Sequence, residues 1–250
     1  MISAAGPRCR CRDAVVRPDC PALSSVLPVL RTRIKFCGFV RPSDVDDAVA
    51  LGVDAIGFVF YARSPRAIDA QQAAALRRRL PSYVSAVGLF VNEDPAVVRQ
   101  VTDSVGLDVI QFHGDETPAQ CREGVLSSVP YWRAVRMRSP DDLLESSLRF
   151  DDAEAFLLDA FSEAFGGTGT RFDWSWIPAT RKAPLILSGG LDEHSVAQAI
   201  RQVSPTMVDV SSGIQGHDAR CKDADRMARF VAAVLAEDAR RLFASPGSAS

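Results

Sequence analysis

The chain has 250 residues, 47% of them hydrophobic and 24% charged, which excludes wholesale disorder and a fibrous repeat. At ~100–200 residues per domain that length holds one large domain or two small ones. The 29 basic and 31 acidic residues leave a formal charge of −2, which argues against nucleic acid as the main partner, and no apolar run approaches the ~18–20 residues of a membrane span.

In chain order, residues 1–32 come first. They are rich in Arg and poor in acid, and Pro7, Pro18, Pro21 and Pro28 break any amphipathic helix. They read as a poorly ordered N-terminal extension. Cys9, Cys11 and Cys20 crowd into this stretch, whereas Cys37, Cys121 and Cys221 lie far apart and His113, His194 and His217 are dispersed. No pair has the C-x-x-C spacing of a zinc or redox site, so no metal is expected, and the thiols read as free in a reducing cytoplasm.

From Arg33 the chain alternates short apolar runs with longer amphipathic ones. Strands are predicted at Arg33–Cys37, Ala55–Phe60, Val84–Val91, Val109–His113, Tyr131–Arg136, Phe156–Asp159, Leu185–Ser188 and Met207–Ser211. Each is four to eight residues of mainly Val, Ile, Leu and Phe, closed by Gly or a small polar residue. Helices are predicted at Pro42–Leu51, Ala70–Leu80, Pro95–Val105, Pro118–Val125, Pro140–Leu148, Trp174–Thr180, Glu193–Val203 and Ala224–Ala236. Several open with a proline after a capping residue, as at Asp94-Pro95 and Thr117-Pro118, where proline's missing N–H costs nothing.

Strict alternation implies parallel strands joined by right-handed crossovers, an α/β fold. Eight such units in a single domain over 33–238, followed by a C-terminal tail over 239–250, predict a closed (βα)8 TIM barrel. An open nucleotide-binding sheet would carry a glycine-rich turn after its first strand; here that strand ends in Cys37-Gly38. Barrel chemistry sits at the carboxyl ends of the strands. Side-chain alternation then aims Lys35, Cys37, Asp159, Asp209 and Ser211 into the lumen if Ile34, Phe36, Leu158, Val208 and Val210 face the helices.

Ser188-Gly189-Gly190 and Ser211-Ser212-Gly213 close the last two strands. Glycine lets backbone N–H groups approach an anion, and two such loops side by side predict a phosphate site. Phe165-Gly166-Gly167-Thr168-Gly169 has the composition of a mobile lid. Cys37 and Asp159, on the first and sixth strands, face each other across the predicted mouth. A thiol with its ordinary pKa near ~8.5 is mostly protonated at neutral pH, so Cys37 needs a cation such as Lys35 to act as a base.

These residues lie in a longer pattern: Lys35-Phe36-Cys37-Gly38, Gly57-Phe58-Val59-Phe60-Tyr61 with Ser64-Pro65-Arg66, Val87-Gly88-Leu89-Phe90-Val91-Asn92, and Gln111-Phe112-His113-Gly114. It continues through Leu157-Leu158-Asp159, Gly166-Gly167-Thr168-Gly169, Leu187-Ser188-Gly189-Gly190-Leu191 and Asp209-Val210-Ser211-Ser212-Gly213. The set resembles the phosphoribosylanthranilate isomerase family of tryptophan biosynthesis, in order from about Arg33 to Ala236. The resemblance implies an Amadori rearrangement of N-(5′-phosphoribosyl)anthranilate without a cofactor, Asp159 as general acid and Cys37 as general base. It implies Arg66 on the anthranilate carboxylate, Asp209 on the sugar, and Gly189, Gly190, Ser211, Ser212 and Gly213 around the 5′-phosphate. The partner is then a small phosphorylated aminosugar, not nucleic acid or a membrane, with the protein a monomer or weak homodimer. The sequence departs from the family at Phe36, Phe39, Val40 and Ala67, which bears on substrate fit and removes no catalytic group. The histidine-pathway aminoaldose phosphate isomerase, a dual-specificity sugar isomerase, and a catalytically silent phosphate-binding barrel stand as alternatives.

Overall fold

The computed structural model describes residues 31–126, 128–161, 171–181 and 183–244. The elements are β1 (Arg33–Cys37), α1 (Pro42–Ala50), β2 (Ala55–Val59), α2 (Ala70–Arg77), β3 (Ser85–Phe90), α3 (Pro95–Val105), β4 (Val109–Phe112) and α4 (Pro118–Gly124). They continue with β5 (Tyr131–Met137), α5 (Asp141–Arg149), β6 (Ala155–Ala160), β7 (Leu185–Leu187), α6 (Val196–Val203), β8 (Met207–Val210) and α7 (Ala224–Phe243). The eight strands are parallel and close into a barrel, β1 pairing with both β2 and β8.

Alternation along the strands builds two apolar layers. One joins Ile34, Phe36, Phe58, Ile110, Leu158, Val208 and Val210 to the inner faces of the helices. The other fills the lumen with Ala55, Val87, Val109, Trp132, Ala134, Ala155, Leu157, Ile186 and Met207. Because Leu157 belongs to the lumen and Leu158 to the helix layer, Asp159 returns to the lumen at its mouth, as the alternation predicts. The expected proline starts are also present: α1, α3 and α4 each have Pro in the first turn, and Thr117 and Gln120 form a reciprocal capping box on α4.

Three expectations need correction. The helix predicted at Trp174–Thr180 is a single 3-10 turn, Trp174–Trp176. Ile177 precedes Pro178 and is extended (φ −85°, ψ 118°), because the proline ring disfavours the α region in the residue before it. Seven α-helices therefore stand among the described residues where eight were expected. The helix predicted from Glu193 starts at Val196, since Asp192 Oδ1 holds the N–H groups of His194 and Ser195 in a turn. The last helix, predicted to end at Ala236, continues to Phe243, because its final turns are anchored. Asp238 accepts from Thr32 N (2.6 Å) and Thr32 Oγ1 (2.8 Å), and Glu237 pairs with Arg201 at 2.5 Å. Thr32, expected in the extension, is buried. The expected lid over Phe165–Gly169 and the extension up to residue 30 lie outside the described residues. No helix among the described residues is long and apolar enough to cross a membrane.

The clamp of α7 on the chain entering β1 joins segments 206 residues apart. Asp238→Ala leaves a buried N–H and hydroxyl without their acceptor, and is expected to lower the unfolding free energy by roughly 1–3 kcal/mol. Urea denaturation with an unchanged midpoint and slope would remove the clamp from the list of stabilising contacts.

Candidate active site

The mouth is organised around β1. Cys37 ends that strand, buried, with its side chain on the lumen face. Gly57 is its partner on β2, and a Cβ there would meet Cys37 Sγ at 2.7 Å. The thiol thus occupies space that only glycine leaves open. Beneath it Lys35, fully buried, reaches Asp209 across the β1–β8 pair: Nζ to Oδ1 is 2.8 Å, and the two residues are register partners. Asp209 Oδ2 also accepts from Ser188 Oγ at 3.3 Å. Burial works against the Lys35 charge, but the adjoining Asp209 carboxylate and Cys37 sulfur outweigh it and hold the lysine above its ordinary pKa. Burial pushes the Cys37 thiol up, opposed by the Lys35 and Lys222 cations.

Lys222 lies between β8 and α7, beyond the last site motif. Its ammonium donates to the Cys37 carbonyl (2.7 Å), the Ser211 carbonyl (3.1 Å) and Ser211 Oγ (3.5 Å), and its own N–H goes to the buried Asp44 carboxylate at 2.9 Å. It also sits 5.4 Å above the Phe39 ring. Burial, reinforced by repulsion from Arg66, pushes its pKa down to about 7. The Ser211 hydroxyl, expected at a phosphate, is spent on the Cys37 carbonyl at 3.0 Å. Lys222 and Ser211 together tie the ends of β1 and β8.

Arg66 comes in from the loop after β2. Its stem crosses Gly38 so closely that a Cβ there would stand 2.4 Å from Arg66 Cδ, and Gly38 itself adopts φ +79°. Arg66 Nη2 donates to Gln215 Oε1 at 2.6 Å, while Nε is buried and has no acceptor among the described residues. Burial lowers the guanidinium's pKa, and an incoming anion would supply the missing acceptor.

On the other side, Asp159 ends in the lumen of β6. Oδ1 accepts from Ala160 N at 2.9 Å, and Oδ2 lies 3.2 Å from His113 Nε2. Gln111 Nε2 lies 2.9 Å from His113 Nδ1, so the buried amide fixes the orientation of the ring that faces the carboxylate. Gly189 (φ +84°) brings the β7 loop against this acid: a Cβ there would come within 2.8 Å of Ala160 N and 3.1 Å of Asp159 Oδ1. The loop after β8 nests on the loop after β7, since a Cβ at Gly213 would stand 2.0 Å from Leu191 O. Gly189, Gly190, Ser212 and Gly213 therefore form one continuous rim.

The sequence reading had placed Cys37, Asp159, Arg66, Asp209 and both small-residue loops at one mouth, and the fold brings their strands and loops together there. The sequence gives His113 and Gln111 a place in the motif pattern and no role, and it does not show Lys222, Gln215 or the space at Gly57 as parts of the site. One signal pointed to Lys222: lysine occurs only at 35, 182 and 222 in a chain whose other basic residues are all arginine. Two of those three are buried in this site, where an ammonium fits as a compact charge able to lose its proton and a guanidinium does not.

A family model described as N-(5′-phosphoribosyl)anthranilate (PRA) isomerase matches residues 34–233. The N-(5′-phosphoribosyl)anthranilate isomerase of Methylibium petroleiphilum is 51% identical over 211 residues, 84% of this chain and 97% of that protein. Its counterpart in Dechloromonas aromatica is 49% identical over 209 residues, 84% of this chain and 99% of that one. Among solved structures, phosphoribosyl anthranilate isomerase from Thermotoga maritima has a TM-score of 0.76 at 36% identity, covering 82% of this chain and 99% of its own. A phosphoribosyl anthranilate isomerase in complex with reduced 1-(o-carboxyphenylamino)-1-deoxyribulose 5-phosphate has a TM-score of 0.73 at 35% identity, with the same coverage.

The depressed Lys222 predicts a pH dependence of stability. Its pKa is about 7 folded against ~10.4 for an unhindered lysine, so between these values the unfolded chain binds more protons and stability rises with pH. The contribution is fully present above pH ~10.4 and is lost as pH falls through 7. The wild-type minus Lys222→Met difference in unfolding free energy should therefore climb between pH 7 and 10; a flat or falling difference contradicts the buried, destabilised ammonium.

Proposed function

The chain belongs to the N-(5′-phosphoribosyl)anthranilate isomerase family, and on that premise we propose how its residues divide the chemistry. The protein is an isomerase of tryptophan biosynthesis that rearranges N-(5′-phosphoribosyl)anthranilate to 1-(o-carboxyphenylamino)-1-deoxyribulose 5-phosphate. Asp159 protonates the furanose ring oxygen. The C1′–O bond breaks and the anilino nitrogen lone pair forms the C1′ iminium. Cys37, as thiolate, removes the C2′ proton, and those electrons flow toward the iminium to give a neutral enolamine. The enolamine tautomerises to the ketone, C1′ gaining a proton and the C2′ hydroxyl losing one. The iminium is the electron sink, so acid and base need only be held on opposite sides of the sugar.

The observation that carries this assignment is the convergence at one mouth of Cys37 beside Lys35 and Lys222, Asp159 beside His113, and Arg66 with an unpaired buried Nε. Arg66 takes the anthranilate carboxylate, and Asp209 takes a sugar hydroxyl while holding Lys35. The backbone of Gly189, Gly190, Ser212 and Gly213 takes the 5′-phosphate, with Ser211 contributing through its main chain because its hydroxyl is engaged. In the free protein the thiol resists ionisation. Lys35 and Lys222 are the cations that favour the thiolate the reaction needs.

Residues 1–32 are assigned no part in turnover, since the family match begins at residue 34 and the relatives are covered almost end to end by 84% of the chain. The setting is the cytoplasm and the working form a monomer or weak homodimer. A dimeric relative from Thermotoga maritima, studied as monomers, lies at a TM-score of 0.73.

Cys37→Ala and Asp159→Asn should each reduce kcat by about 10²–10⁴-fold with unchanged circular dichroism; near-wild-type turnover in either removes that residue from the mechanism. Arg66→Ala should raise KM far more than it lowers kcat, since the carboxylate stays remote from the bonds that change. Turnover of the histidine-pathway aminoaldose at a comparable kcat/KM would instead identify a dual-specificity enzyme. Complementation of a tryptophan auxotroph by residues 31–250, which keep Thr32 on Asp238, as well as by the full chain is the expected result for a dispensable extension.

A further inference from the structure

We propose that His217, Asp218 and Cys221 form a binding site for a thiophilic divalent cation of the zinc class, on the loop that leads into α7. The three donor atoms close a triangle: Cys221 Sγ to His217 Nε2 is 3.7 Å, Cys221 Sγ to Asp218 Oδ2 is 3.5 Å, and His217 Nε2 to Asp218 Oδ2 is 3.2 Å. A tetrahedral ion with metal–sulfur near ~2.3 Å and metal–nitrogen and metal–oxygen near ~2.0–2.1 Å requires donor separations of about 3.6, 3.5 and 3.3 Å on the same three edges. Each observed edge agrees within about 0.1 Å. Ordinary hydrogen bonding does not require this closure. A thiol has one proton to donate and is satisfied by one acceptor, whereas an ion held in common brings all three atoms to mutual contact.

The loop is built to hold that face. Gly216 N bonds Cys221 O at 2.8 Å, Cys221 N bonds Asp218 O at 3.3 Å, and Gln215 and Lys222 form an antiparallel bridge at its neck. Asp218 uses Oδ1 for the N–H of Arg220 (2.6 Å), which holds its carboxyl below the usual range and turns Oδ2 toward the sulfur and the imidazole. Cys221 is buried and Arg41 Nη1 donates to its sulfur at 2.9 Å. An N–H donor on a sulfur ligand is a normal outer partner of a metal thiolate, and the nearby Asp44, 3.3 Å from Arg41, offsets the guanidinium charge.

Charge and softness select the ion. A neutral imidazole, a carboxylate and a thiolate carry two negative charges, which match a divalent cation, and coordination sends the thiol proton to solvent. Sulfur with imidazole favours zinc and cobalt over magnesium and calcium, which prefer all-oxygen shells. His217 and Asp218 have side chains 80% and 52% exposed, so an ion can enter from solvent and take water as its fourth ligand. The residue after Cys221 is Lys222, on the Cys37 carbonyl, and the loop's neck carries Gln215, on Arg66. An ion here would stiffen the segment that positions both.

Cobalt(II) is the probe: it replaces zinc, and its spectrum reports sulfur ligation and geometry. Added to the reduced, chelator-stripped full-length protein, it should bind one per chain with a thiolate-to-cobalt charge-transfer band and tetrahedral d–d absorption, both erased by zinc. The charge-transfer band should vanish in Cys221→Ser, and affinity should fall by about tenfold or more in His217→Ala. The band should persist when Cys9, Cys11 and Cys20 are all replaced by Ser and in Cys121→Ser. Absence of the band in the wild type, or its survival in Cys221→Ser, overturns the proposal. Circular dichroism of Cys221→Ser, expected unchanged, separates loss of a ligand from loss of the fold.

Discussion

The buried ion pair between Lys35 and Asp209 is the contact on which the rest of the mouth depends. Both groups lie in the lumen, opposite each other in the β1–β8 register, where the barrel closes. A slip of one residue at that seam would point Lys35 into the helix layer and leave Asp209 a buried, unpaired charge, and removing one partner of such a pair costs about 3–5 kcal/mol. Closure of the barrel and alignment of the site are therefore one event. With Lys35 fixed, Cys37 emerges two residues later on the same face, and the cation beneath it is one of the few groups opposing what burial does to a thiol.

Above that pair the site is assembled by close approach of main chain. Gly57 leaves room for the Cys37 sulfur, Gly38 for the stem of Arg66, Gly189 for the Asp159 carboxylate, and Gly213 for the neighbouring loop at Leu191. Each is a position where one Cβ would collide with a functional group or with the loop beside it. The side chains that close these gaps bond to backbone: Lys222 and Ser211 hold the Cys37 carbonyl, and Lys222 also holds that of Ser211. Ends of strands, which lack sheet partners for their last carbonyls, are thereby satisfied without water, and the base is held where its strand stops.

Strand positions are legible because each is a mainly apolar run punctuated by glycine or a small polar residue, and period-two alternation sorts Cys37, Asp159 and Asp209 to the lumen. The seventh crossover was not legible. Trp174–Thr180 has helical composition, but Pro178 extends Ile177 and stops the turn after three residues. The true end of α7 was hidden too, because what prolongs it is Asp238 meeting Thr32 from the other end of the chain. Lys222 was visible only as a scarcity of lysine, which composition cannot distinguish from background.

By itself the sequence determined the order of the strands, the parallel closed barrel, and which residues of the first, sixth and eighth strands face inward, because these follow from local periodicity and from the handedness of strand–helix–strand units. Resemblance added the reaction. The tertiary structure decided what depends on proximity between distant segments: Lys222 over Cys37, 185 residues away, Gln215 on Arg66, 149 residues away, and Asp159 against His113. It also decided the protonation tendencies of the thiol and the two buried lysines. Those are set by desolvation and by which charges lie within a few ångströms, neither of which a linear order of residues contains.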